Sequence, residues 1–449
     1  MKISMRILCL MLSVFMALSM AACGGKSDSD TKGNSSGGSN LSAGGYKTWD
    51  EIKSAIPSDA KGKTIQVYSW NKITDVTGAA DAVKKFTEET GINVDWVVGN
   101  YDEYTTKIAG MVSSQQSPDI VRLKDIDTGL LQVLQPLQGI NYDFTDEAWD
   151  TRVMDFYTFD GKTYATNMRN TLLQQPAALI YNKNLISKCD LEDPYSLWKQ
   201  GNWNFDKFVE ICEEFTEVMS DDNTYLAWTS CQWSDITSIY GSGMIKREGD
   251  RFVSNMSDEN LLKGWQKMCQ LRVDGVTNNL RFDLNNFENG KILFFTESLI
   301  GVRRTHHYFS NLKSQGALGA VPLPKVDSND AVVWGEVEAY GIPEGAPNAD
   351  LVPYFLRYYL DSDNYEKNTF FCDKTMLDVH EELMKAEKIY QNYDCSLITD
   401  DVGKAGIHIN ASILNKAPAQ VKSALDSNAS LVEAAVKSTN NILDKIKDK

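Results

Sequence analysis

The hydrophobic and polar positions of residues 64–123 alternate between a strand pattern and a helix pattern. Stretches rich in β-branched and aromatic residues alternate with stretches whose apolar residues recur every three or four positions. In chain order they are Thr64–Trp70 (strand), Ala79, Val83 and Phe86 (helix, stopped by Gly91), Ile92–Val98 (strand), Tyr101–Ser114 (helix) and Ile120–Leu123 (strand). This succession predicts an α/β fold with a parallel sheet and helices on both faces.

Polar and aromatic residues follow two of these strands. Trp70 and Asn71 stand at the end of the first strand, and Lys124 and Asp125 follow the third. In open α/β sheets, ligands bind beyond the carboxyl ends of the strands. We therefore expect these side chains to lie together at one edge of the sheet.

Helical periodicity is prominent after Pro194. Asn204 is the expected N-cap of an amphipathic helix whose apolar face comprises Phe208, Ile211, Cys212, Phe215, Val218 and Met219. Strand-like stretches return at Lys291–Phe295 and Ala331–Tyr340. On a single strand, Glu336 and Glu338 would face the same side about 7 Å apart.

The N-terminus has the organisation of a secretory signal. It contains, in order, two positive charges, an uncharged apolar run and two small residues before a cysteine: Lys2, Arg6, Ile7–Met20, Ala21-Ala22 and Cys23. The apolar run is shorter than the ~20 residues of a spanning helix. We predict a signal peptide over residues 1–22 and a lipid-modified Cys23, because Ala-Ala-Cys resembles a bacterial lipobox with Met20 where leucine is usual. An ordinary signal cut nearby is the alternative.

Residues 23–45 are dominated by Gly, Ser, Asn and Asp after the cysteine. Such a segment cannot bury enough apolar surface to become ordered. As a flexible coil it gives roughly 25 Å of end-to-end distance. We interpret it as a tether between Cys23 and the body.

The charge balance excludes some partners. The chain carries 61 acidic and 45 basic residues, a net charge of −16, which becomes −18 without Lys2 and Arg6. A nucleic-acid partner requires a basic face, so none is expected. Since no basic patch lies near Cys23, attachment to the bilayer would come from acyl groups.

Neither a metal site nor a cofactor is expected. The body has six widely spaced cysteines, Cys189, Cys212, Cys231, Cys269, Cys372 and Cys395, without a Cys-x-x-Cys pair. The histidines that could join a metal site are His306, His307, His380 and His408. In an oxidising location, one disulfide between two of these cysteines remains an alternative to free thiols.

Several segments, in order, resemble the extracellular solute-binding proteins of bacterial ABC importers, of the maltose- and oligosaccharide-binding type. They are Phe86–Val98 (FTEETGINVDWVV), Ser117–Val121 (SPDIV), Gly161–Thr166 (GKTYAT), Leu179–Leu185 (LIYNKNL), Trp203–Phe215 (WNFDKFVEICEEF), Asn289–Phe295 (NGKILFF), Gly319–Pro324 (GAVPLP) and Gly341–Pro347 (GIPEGAP). None is specific alone; their order and spacing carry the resemblance.

The resemblance implies two lobes, each a mainly parallel sheet flanked by helices, joined by crossing strands and closing on a ligand by a hinge. The expected first lobe is 46–172 with 298–339, and the expected second lobe is 173–297 with 340–449. The crossings are expected near Leu172–Pro176, Thr296–Leu299 and Tyr340.

A sugar site would combine aromatic faces, which match the C–H faces of the ring, with polar groups that bind hydroxyls. The aromatic candidates are Trp70, Trp228, Trp233 and Trp334. For each of them the sequence leaves two alternatives, a position in the ligand cleft or a position in the core. The polar candidates at strand ends are Asn71 and Asp125. The resemblance adds Asn167, Gln175, Glu297, Arg303 and Glu336, with Gln175 standing where the maltose-binding relatives carry an acidic sugar ligand.

We therefore expect a monomeric binding protein, not an enzyme, held at the outer face of the cell membrane as a lipoprotein. It would capture a carbohydrate and deliver it to the permease subunits of an ABC importer. One alternative is a surface glycoside hydrolase, since inverting enzymes separate two carboxyls by about 6.5–9.5 Å and Glu336 and Glu338 fall in that range. Another is a binding protein for a non-sugar solute such as a peptide or a polyamine.

Overall fold

The computed structural model describes residues 45–449 except 124, 223, 231–238, 279–282, 327–331, 392, 399, 414 and 448–449. For residues 175, 230, 332–336, 390, 395–398, 400, 407, 411 and 447 it describes the backbone only. Two large sheets, each packed against helices, organise these residues, and three two-stranded sheets also occur among them.

Strands and helices occur in the following order along the chain. The strands are β1 (Thr64–Ser69), β2 (Asn93–Val98), β3 (Ile120–Leu123), β4 (Ile126–Asp127), β5 (Thr158–Phe159), β6 (Lys162–Thr163), β7 (Ala165–Thr166), β8 (Gln175–Asn182), β9 (Leu226–Ser230), β10 (Ile245–Glu248), β11 (Arg251–Ser254), β12 (Ile292–Ser298), β13 (Leu318–Pro322), β14 (Val332–Glu336), β15 (Ala339–Gly341), β16 (Ile389–Gln391) and β17 (Leu397–Ile398). The helices are α1 (Trp49–Ser54), α2 (Ala79–Thr90), α3 (Tyr104–Ser113), α4 (Thr128–Leu131), α5 (Thr151–Phe156), α6 (Lys183–Lys188), α7 (Pro194–Lys199), α8 (Phe205–Val218), α9 (Glu259–Val273), α10 (Leu284–Glu288), α11 (Ser310–Ser314), α12 (Val352–Tyr359), α13 (Lys367–Phe370), α14 (Lys374–Lys385), α15 (Tyr393–Ser396), α16 (Asp400–Ile413) and α17 (Val421–Lys447).

The first sheet has the strand order β2-β1-β3-β15-β7. Strand β1 runs parallel to β2 and β3, as the strand–helix–strand pattern predicted. Helix α2 covers the sheet with Phe86, which is fully buried and lies edge-on to Phe355 of α12 at 5.3 Å. Gly91 ends α2 with a φ of 74°, a left-handed conformation that glycine adopts without steric cost.

The second sheet has the order β16-β14-β8-β12-β9, with β13 also pairing with β8. Helix α8 packs on it through the predicted apolar face, and the Asn204 side chain accepts a hydrogen bond from the backbone of Lys207 at its start. Phe208 and Phe215 are fully buried and Met219 packs partly buried against the core, whereas Val218 is 56 % exposed. The expected stripe is therefore correct except at Val218.

Both sheets are mixed rather than mainly parallel, which corrects the expectation for each lobe. In the first sheet, β15 is antiparallel to β3 and β7. In the second sheet, β8 is antiparallel to β12, β13 and β14. Strands β8 and β15, which follow the short crossings between the sheets, run antiparallel to all the strands they pair with.

The stretch 331–340, expected as one strand, is two strands in different sheets. Strand β14 ends at Glu336 beside β8, and β15 begins at Ala339 beside β3. Glu336 and Glu338 therefore do not share one face of one strand, and the expected carboxylate pair is wrong. The chain crosses between the sheets over residues 337–338.

The expected lobe boundaries stay a prediction, but strand pairing shows where the chain passes from one sheet to the other. Residues 167–174 connect β7 of the first sheet to β8 of the second, close to the crossing expected at Leu172–Pro176. No change of sheet accompanies the return expected at Thr296–Leu299, since β13 and β14 still pair with β8. Backbone pairing thus places strands from 298–339 in the second sheet and β15, from 339–341, in the first.

Candidate functional site

A cavity of about 290 Å³ lies at the carboxyl ends of β1 and β3 in the first sheet. Trp70 directly follows β1, and Asp125 comes two residues after β3 ends. Both line the cavity, together with Arg122 of β3 and with Tyr101 and Tyr104 at the start of α3. The parallel pairing of β1 with β3 brings these strand ends to one edge, as the sequence predicted.

The wall of the cavity is aromatic. The ring of Trp70 is half-buried and meets the ring of Tyr104 edge-on at 4.9 Å and that of Tyr101 at 5.7 Å. The guanidinium carbon of Arg122 lies 4.5 Å from the centre of the Trp70 ring, within the range of a cation–π contact. Since Tyr101 is 51 % exposed, aromatic carbon remains accessible at the mouth of the cavity.

A buried ion pair stands behind Trp70. Arg122 donates from Nε to Oε1 of Glu338 at 2.7 Å and from Nη2 to Oε2 at 2.6 Å, and both side chains are almost fully buried. The hydroxyl of Tyr340 donates to Oε1 of Glu338 at 3.0 Å. Burial, reinforced by the Glu338 charge, raises the pKa of Tyr340 well above its usual value, so this phenol keeps its proton. The bidentate geometry fixes the plane of the guanidinium.

The side chain of Tyr104 connects strands β1 and β3. Its hydroxyl donates to the carbonyl of Tyr68 in β1 at 2.6 Å and accepts from the backbone N–H of Arg122 in β3 at 3.0 Å. Burial raises the pKa of Tyr104, which keeps the hydroxyl protonated for the first bond. The aromatic wall is thus bonded to the backbone of both strands that end at the cavity.

Two of the predicted polar residues lie near this network. The backbone carbonyl of Asn71 accepts from Nε1 of Trp96 at 2.9 Å, and its side chain is partly exposed. Asn167 is fully buried, and its Nδ2 donates to the carbonyl of Glu338 at 2.8 Å while its Oδ1 accepts from the backbone of Met168. Asn167 therefore bonds the two crossings to each other, and its role as a ligand contact stays a prediction.

Two predicted residues on or after β12 bond to nearby backbone. Oε1 of Glu297 accepts from the backbone N–H of Ser298 at 2.7 Å. Nη2 of Arg303 donates to the carbonyls of Leu172 and Leu173 at 3.1 and 2.9 Å. Arg303 is 3 % exposed, so in this structure it supports the first crossing from within the protein.

Trp228 of β9 lies in the core. Its side chain is 1 % exposed, its Nε1 donates to Oγ1 of Thr296 at 2.9 Å, and its ring meets Phe208 of α8 edge-on at 5.5 Å. The ring is enclosed between the second sheet and its covering helix. A contact with a ligand would require these neighbours to move, so this role also stays a prediction.

The remaining predicted residues are described in part or not at all. Cys23, Trp233 and Lys124, the last expected at the sheet edge beside Asp125, lie outside the described residues. For Gln175, Trp334 and Glu336 only the backbone is described: Glu336 pairs with Gln175, and Trp334 pairs one residue further along β8. These three backbone positions lie together at the first residues of β8.

Sequence reasoning missed three residues that the structure singles out. Arg122 is a charge inside the apolar run Ile120–Leu123, a signal that was available but not used. Glu338 was considered only as a partner of Glu336. Gln391 of β16 is 6 % exposed, and neither its Nε2 nor its Oε1 has a hydrogen-bond partner in the described part of the chain. Burying an unpaired amide group costs about 1–3 kcal/mol.

The described residues also bear on metal binding, thiol chemistry and membrane spanning. They hold no cluster of three or more His, Cys, Asp or Glu side chains suited to a metal ion. Four cysteines described there, Cys189, Cys212, Cys269 and Cys372, are free thiols. Burial raises the pKa of each, which disfavours the reactive thiolate. Among the residues described, every helix is too short or too polar to cross a bilayer.

Comparison with known proteins gives a family match over most of the body. Residues 81–370 match the family described as "Bacterial extracellular solute-binding protein". The diacetylchitobiose-binding protein DasA of Streptomyces coelicolor is 23 % identical over 370 residues, which cover 78 % of this chain and 76 % of the relative.

Solved structures agree in fold. The cyclic α-maltosyl-1,6-maltose-binding protein of Arthrobacter globiformis superposes with a TM-score of 0.62 at 15 % identity, covering 84 % of this chain and 99 % of that one. The galacto-N-biose/lacto-N-biose I-binding protein of a Bifidobacterium longum ABC transporter gives 0.60 at 14 % identity, covering 84 % and 98 %. The fold is therefore the two-lobed α/β fold that the sequence resemblance implied.

Proposed function

Because the chain belongs to the bacterial extracellular solute-binding protein family, we propose that it captures a carbohydrate and delivers it to the permease of an ABC importer. The observation that supports a carbohydrate ligand is that the half-buried Trp70 and Asp125 line one cavity at the carboxyl ends of parallel strands. The relatives named above, which bind oligosaccharides by their own descriptions, support this choice.

The first sheet supplies one wall of the proposed site. The apolar C–H face of a sugar ring packs on Trp70 and on the exposed edge of Tyr101. The carboxylate of Asp125 accepts hydrogen bonds from sugar hydroxyls, and the side chain of Asn71 contributes both a donor and an acceptor. Arg122 is hydrogen-bonded to Glu338 and packs against the Trp70 ring, so in this proposal it supports the ring and does not bind the sugar.

The second sheet supplies the facing wall in this proposal. Trp334 and Glu336 of β14 pair with Pro176 and Gln175, the first residues of β8, and Gln391 of β16 pairs with Trp334 on the other side of β14. The buried amide of Gln391, which has no partner among the described residues, is satisfied when a hydroxyl-rich ligand supplies a donor and an acceptor. The roles of Trp233, Asn167, Glu297, Arg303 and Trp228 as ligand contacts stay predictions; the last four are bonded within the protein in this structure, so the proposed site does not depend on them.

We assign the lobes by sheet. The first lobe takes 46–172 and β15 with the helix α12 that packs on α2, and the second takes 173–297 together with β13 and β14. A ligand that touches both walls only when the lobes approach favours the closed arrangement. Small-angle scattering should then give a smaller radius of gyration with saturating ligand. An unchanged radius with a verified ligand contradicts closure.

The test of the substrate class is a binding screen. Melting temperature and calorimetric affinity are measured against monosaccharides, α- and β-linked disaccharides, diacetylchitobiose and longer oligosaccharides. A peptide mixture and a polyamine in the same panel cover the non-sugar alternatives. We expect at least one oligosaccharide to stabilise the protein in proportion to its concentration. Binding of only the peptide or the polyamine contradicts the proposal.

The screen also separates binding from catalysis. A protein that only binds returns its oligosaccharide intact after prolonged incubation. Release of reducing ends at a rate proportional to protein concentration would favour a glycoside hydrolase instead. The same samples, analysed by size-exclusion chromatography with light scattering, test the proposed monomer.

We further propose that Cys23 is lipidated and that residues 24–45 tether the body to the outer face of the membrane. The support is the order of charges, apolar run and small residues before Cys23. Cys23→Ala should abolish incorporation of labelled fatty acid and leave either a released body or an unprocessed precursor. Labelled fatty acid that still enters the Cys23→Ala protein excludes this site of attachment.

A further inference from the structure

Glu338 lies in the short crossing between β14 and β15 and bonds to the other crossing, residues 167–174. Its backbone N–H donates to Oε1 of Gln174 at 3.2 Å, and its carbonyl accepts from Nε2 of Gln174 and from Nδ2 of Asn167, both at 2.8 Å. The two short segments that lead from one sheet to the other, residues 167–174 and 337–338, are therefore bonded to each other at the backbone of Glu338.

The side chain of Glu338 extends the connection to the cavity. Its two carboxylate oxygens hold the guanidinium of Arg122, whose carbon lies 4.5 Å from the centre of the Trp70 ring. The backbone of Arg122 is bonded to Tyr104, which packs edge-on against the same ring. An unbroken series of contacts thus runs from the crossings to the aromatic wall.

We propose that Glu338 and Arg122 are positioning residues that couple the orientation of Trp70 to the crossings between the two sheets. The inference rests on the proposed function, in which Trp70 packs against the carbohydrate. When the sheets move relative to each other, the backbone of Glu338 moves with the crossings. The bidentate pair transmits this displacement to Arg122 and to the ring that rests on it.

Stability alone is a weak explanation for this pair. Removing two charges from water is costly, and replacing a buried ion pair by apolar residues of similar volume is often neutral or stabilising. A fork of two parallel hydrogen bonds instead fixes the direction and the plane of the guanidinium. Fixed geometry is useful where a ring must present one face to a ligand.

The protein contains a buried ion pair away from the cavity that serves as a control, although it lacks the two parallel hydrogen bonds of the Arg122–Glu338 pair. Arg357 and Asp146 form a second buried pair, 3.2 Å apart, with side chains 2 % and 0 % exposed. Arg357 donates to the backbone carbonyl of Lys47, and neither residue lines the Trp70 cavity. Asp146→Asn therefore reports what the loss of a buried pair does when no ligand wall depends on it.

The experiment is a double-mutant cycle on the full mature chain, using the carbohydrate that binds tightest in the screen. The variants are Glu338→Gln, Trp70→Ala, their combination and Asp146→Asn, each measured for melting temperature and dissociation constant below its own transition. We expect Glu338→Gln to weaken binding by about 5- to 150-fold, the usual size of a coupling between sites. Asp146→Asn should lower the melting temperature and leave the affinity within about twofold, because truncating a buried pair destabilises the fold.

The cycle distinguishes coupling from independent effects. If Glu338 acts through Trp70, Trp70→Ala should cost much less affinity in the Glu338→Gln protein than in the wild-type protein. Losses that simply multiply, or a Glu338→Gln protein that melts early but binds normally, overturn the inference. If Glu338→Gln does not fold, Arg122→Lys replaces it, because the ammonium keeps the charge and loses the fork.

A readout without ligand separates this inference from the proposed function. Emission spectra of the wild-type protein minus Trp70→Phe isolate the contribution of Trp70, and the same difference is measured in the Glu338→Gln background. We expect a shifted and more strongly quenched contribution when the pair is broken. An identical contribution in both backgrounds overturns the positioning role, whereas absence of any carbohydrate binding contradicts the proposed function alone.

Discussion

Two tryptophans near strand ends, Trp70 and Trp228, have opposite environments. Trp70 is half-buried, rests on a guanidinium and lines a cavity. Trp228 is 1 % exposed, has its indole N–H bonded to Thr296 and packs against Phe208. The sequence offered both as candidate ligand contacts on equal terms.

The difference arises from where each residue stands relative to strand pairing. Trp70 comes after the last paired residue of β1, so its ring extends past the edge of the first sheet. Trp228 lies inside β9, paired with Phe294 of β12 on one side and bridged to Thr277 on the other. Trp70 stands one residue past the end of its strand and lines a cavity, whereas Trp228 stands two residues before the end of its strand and lies in the core.

The largest expected effect is the loss of stability in Trp228→Ala. Truncating a buried tryptophan typically costs about 3–5 kcal/mol in the free energy of unfolding, which urea denaturation measures. Affinity should be normal at temperatures where the variant is folded. A Trp228→Ala protein with wild-type stability and weakened carbohydrate binding would place this ring in the cleft and remove the contrast.

Arg303→Met is expected to behave like Trp228→Ala rather than like a cleft variant. The substitution leaves the carbonyls of Leu172 and Leu173 without their donor, at a cost of about 1–3 kcal/mol for each unsatisfied buried group. The free energy of unfolding should fall accordingly. Retained stability combined with lost affinity would show that the guanidinium reaches the ligand.

Trp70→Ala should show the opposite pattern. An aromatic face under a ligand ring is worth about 1–3 kcal/mol by analogy with base stacking, which corresponds to roughly a 5- to 150-fold weaker dissociation constant. Since the ring is only partly buried, the melting temperature should fall less than in Trp228→Ala. Trp70→Phe is the conservative control and should retain most of the affinity. Equal affinities for all three proteins would contradict the aromatic wall.

Asp125→Asn is expected to give the smallest effect. The amide keeps the shape of the side chain and one acceptor oxygen but loses the charge, so binding should weaken by about 1 kcal/mol, roughly fivefold. Calorimetry with the same carbohydrate measures it. Unchanged binding in Asp125→Asn together with weakened binding in Trp70→Ala would confine the site to the aromatic side of the cavity.

Much of the fold followed from local pattern. Strand β3 has the predicted bounds, α2 ends at the predicted Gly91, and α8 begins at the predicted Asn204. These elements could be predicted because their signals are local: the period of the hydrophobic residues, a capping side chain and a glycine that adopts positive φ. The edge of the first sheet followed as well, since parallel strands bring their carboxyl ends together.

The part of the site formed by residues 331–340 was harder to predict from the sequence. The stretch 331–340 has a uniform strand composition, yet it divides between two sheets with Glu338 at the break. Nothing in its residue pattern specifies which distant strand each part will pair with. The partner of Glu338, Arg122, is 216 residues away in the sequence.

The sequence by itself determined the class of fold, the edge at which Trp70 and Asp125 meet, and the family resemblance that points to a bound solute. These properties depend on periodicity and on short-range order along the chain. Tertiary structure decided which tryptophan faces a cavity, which sheet receives β13 and β14, and that Glu338 connects the crossings to Arg122. The physical reason is that strand pairing and the burial of charge are settled between segments far apart in sequence, where the stabilising contacts exist only after the chain has folded.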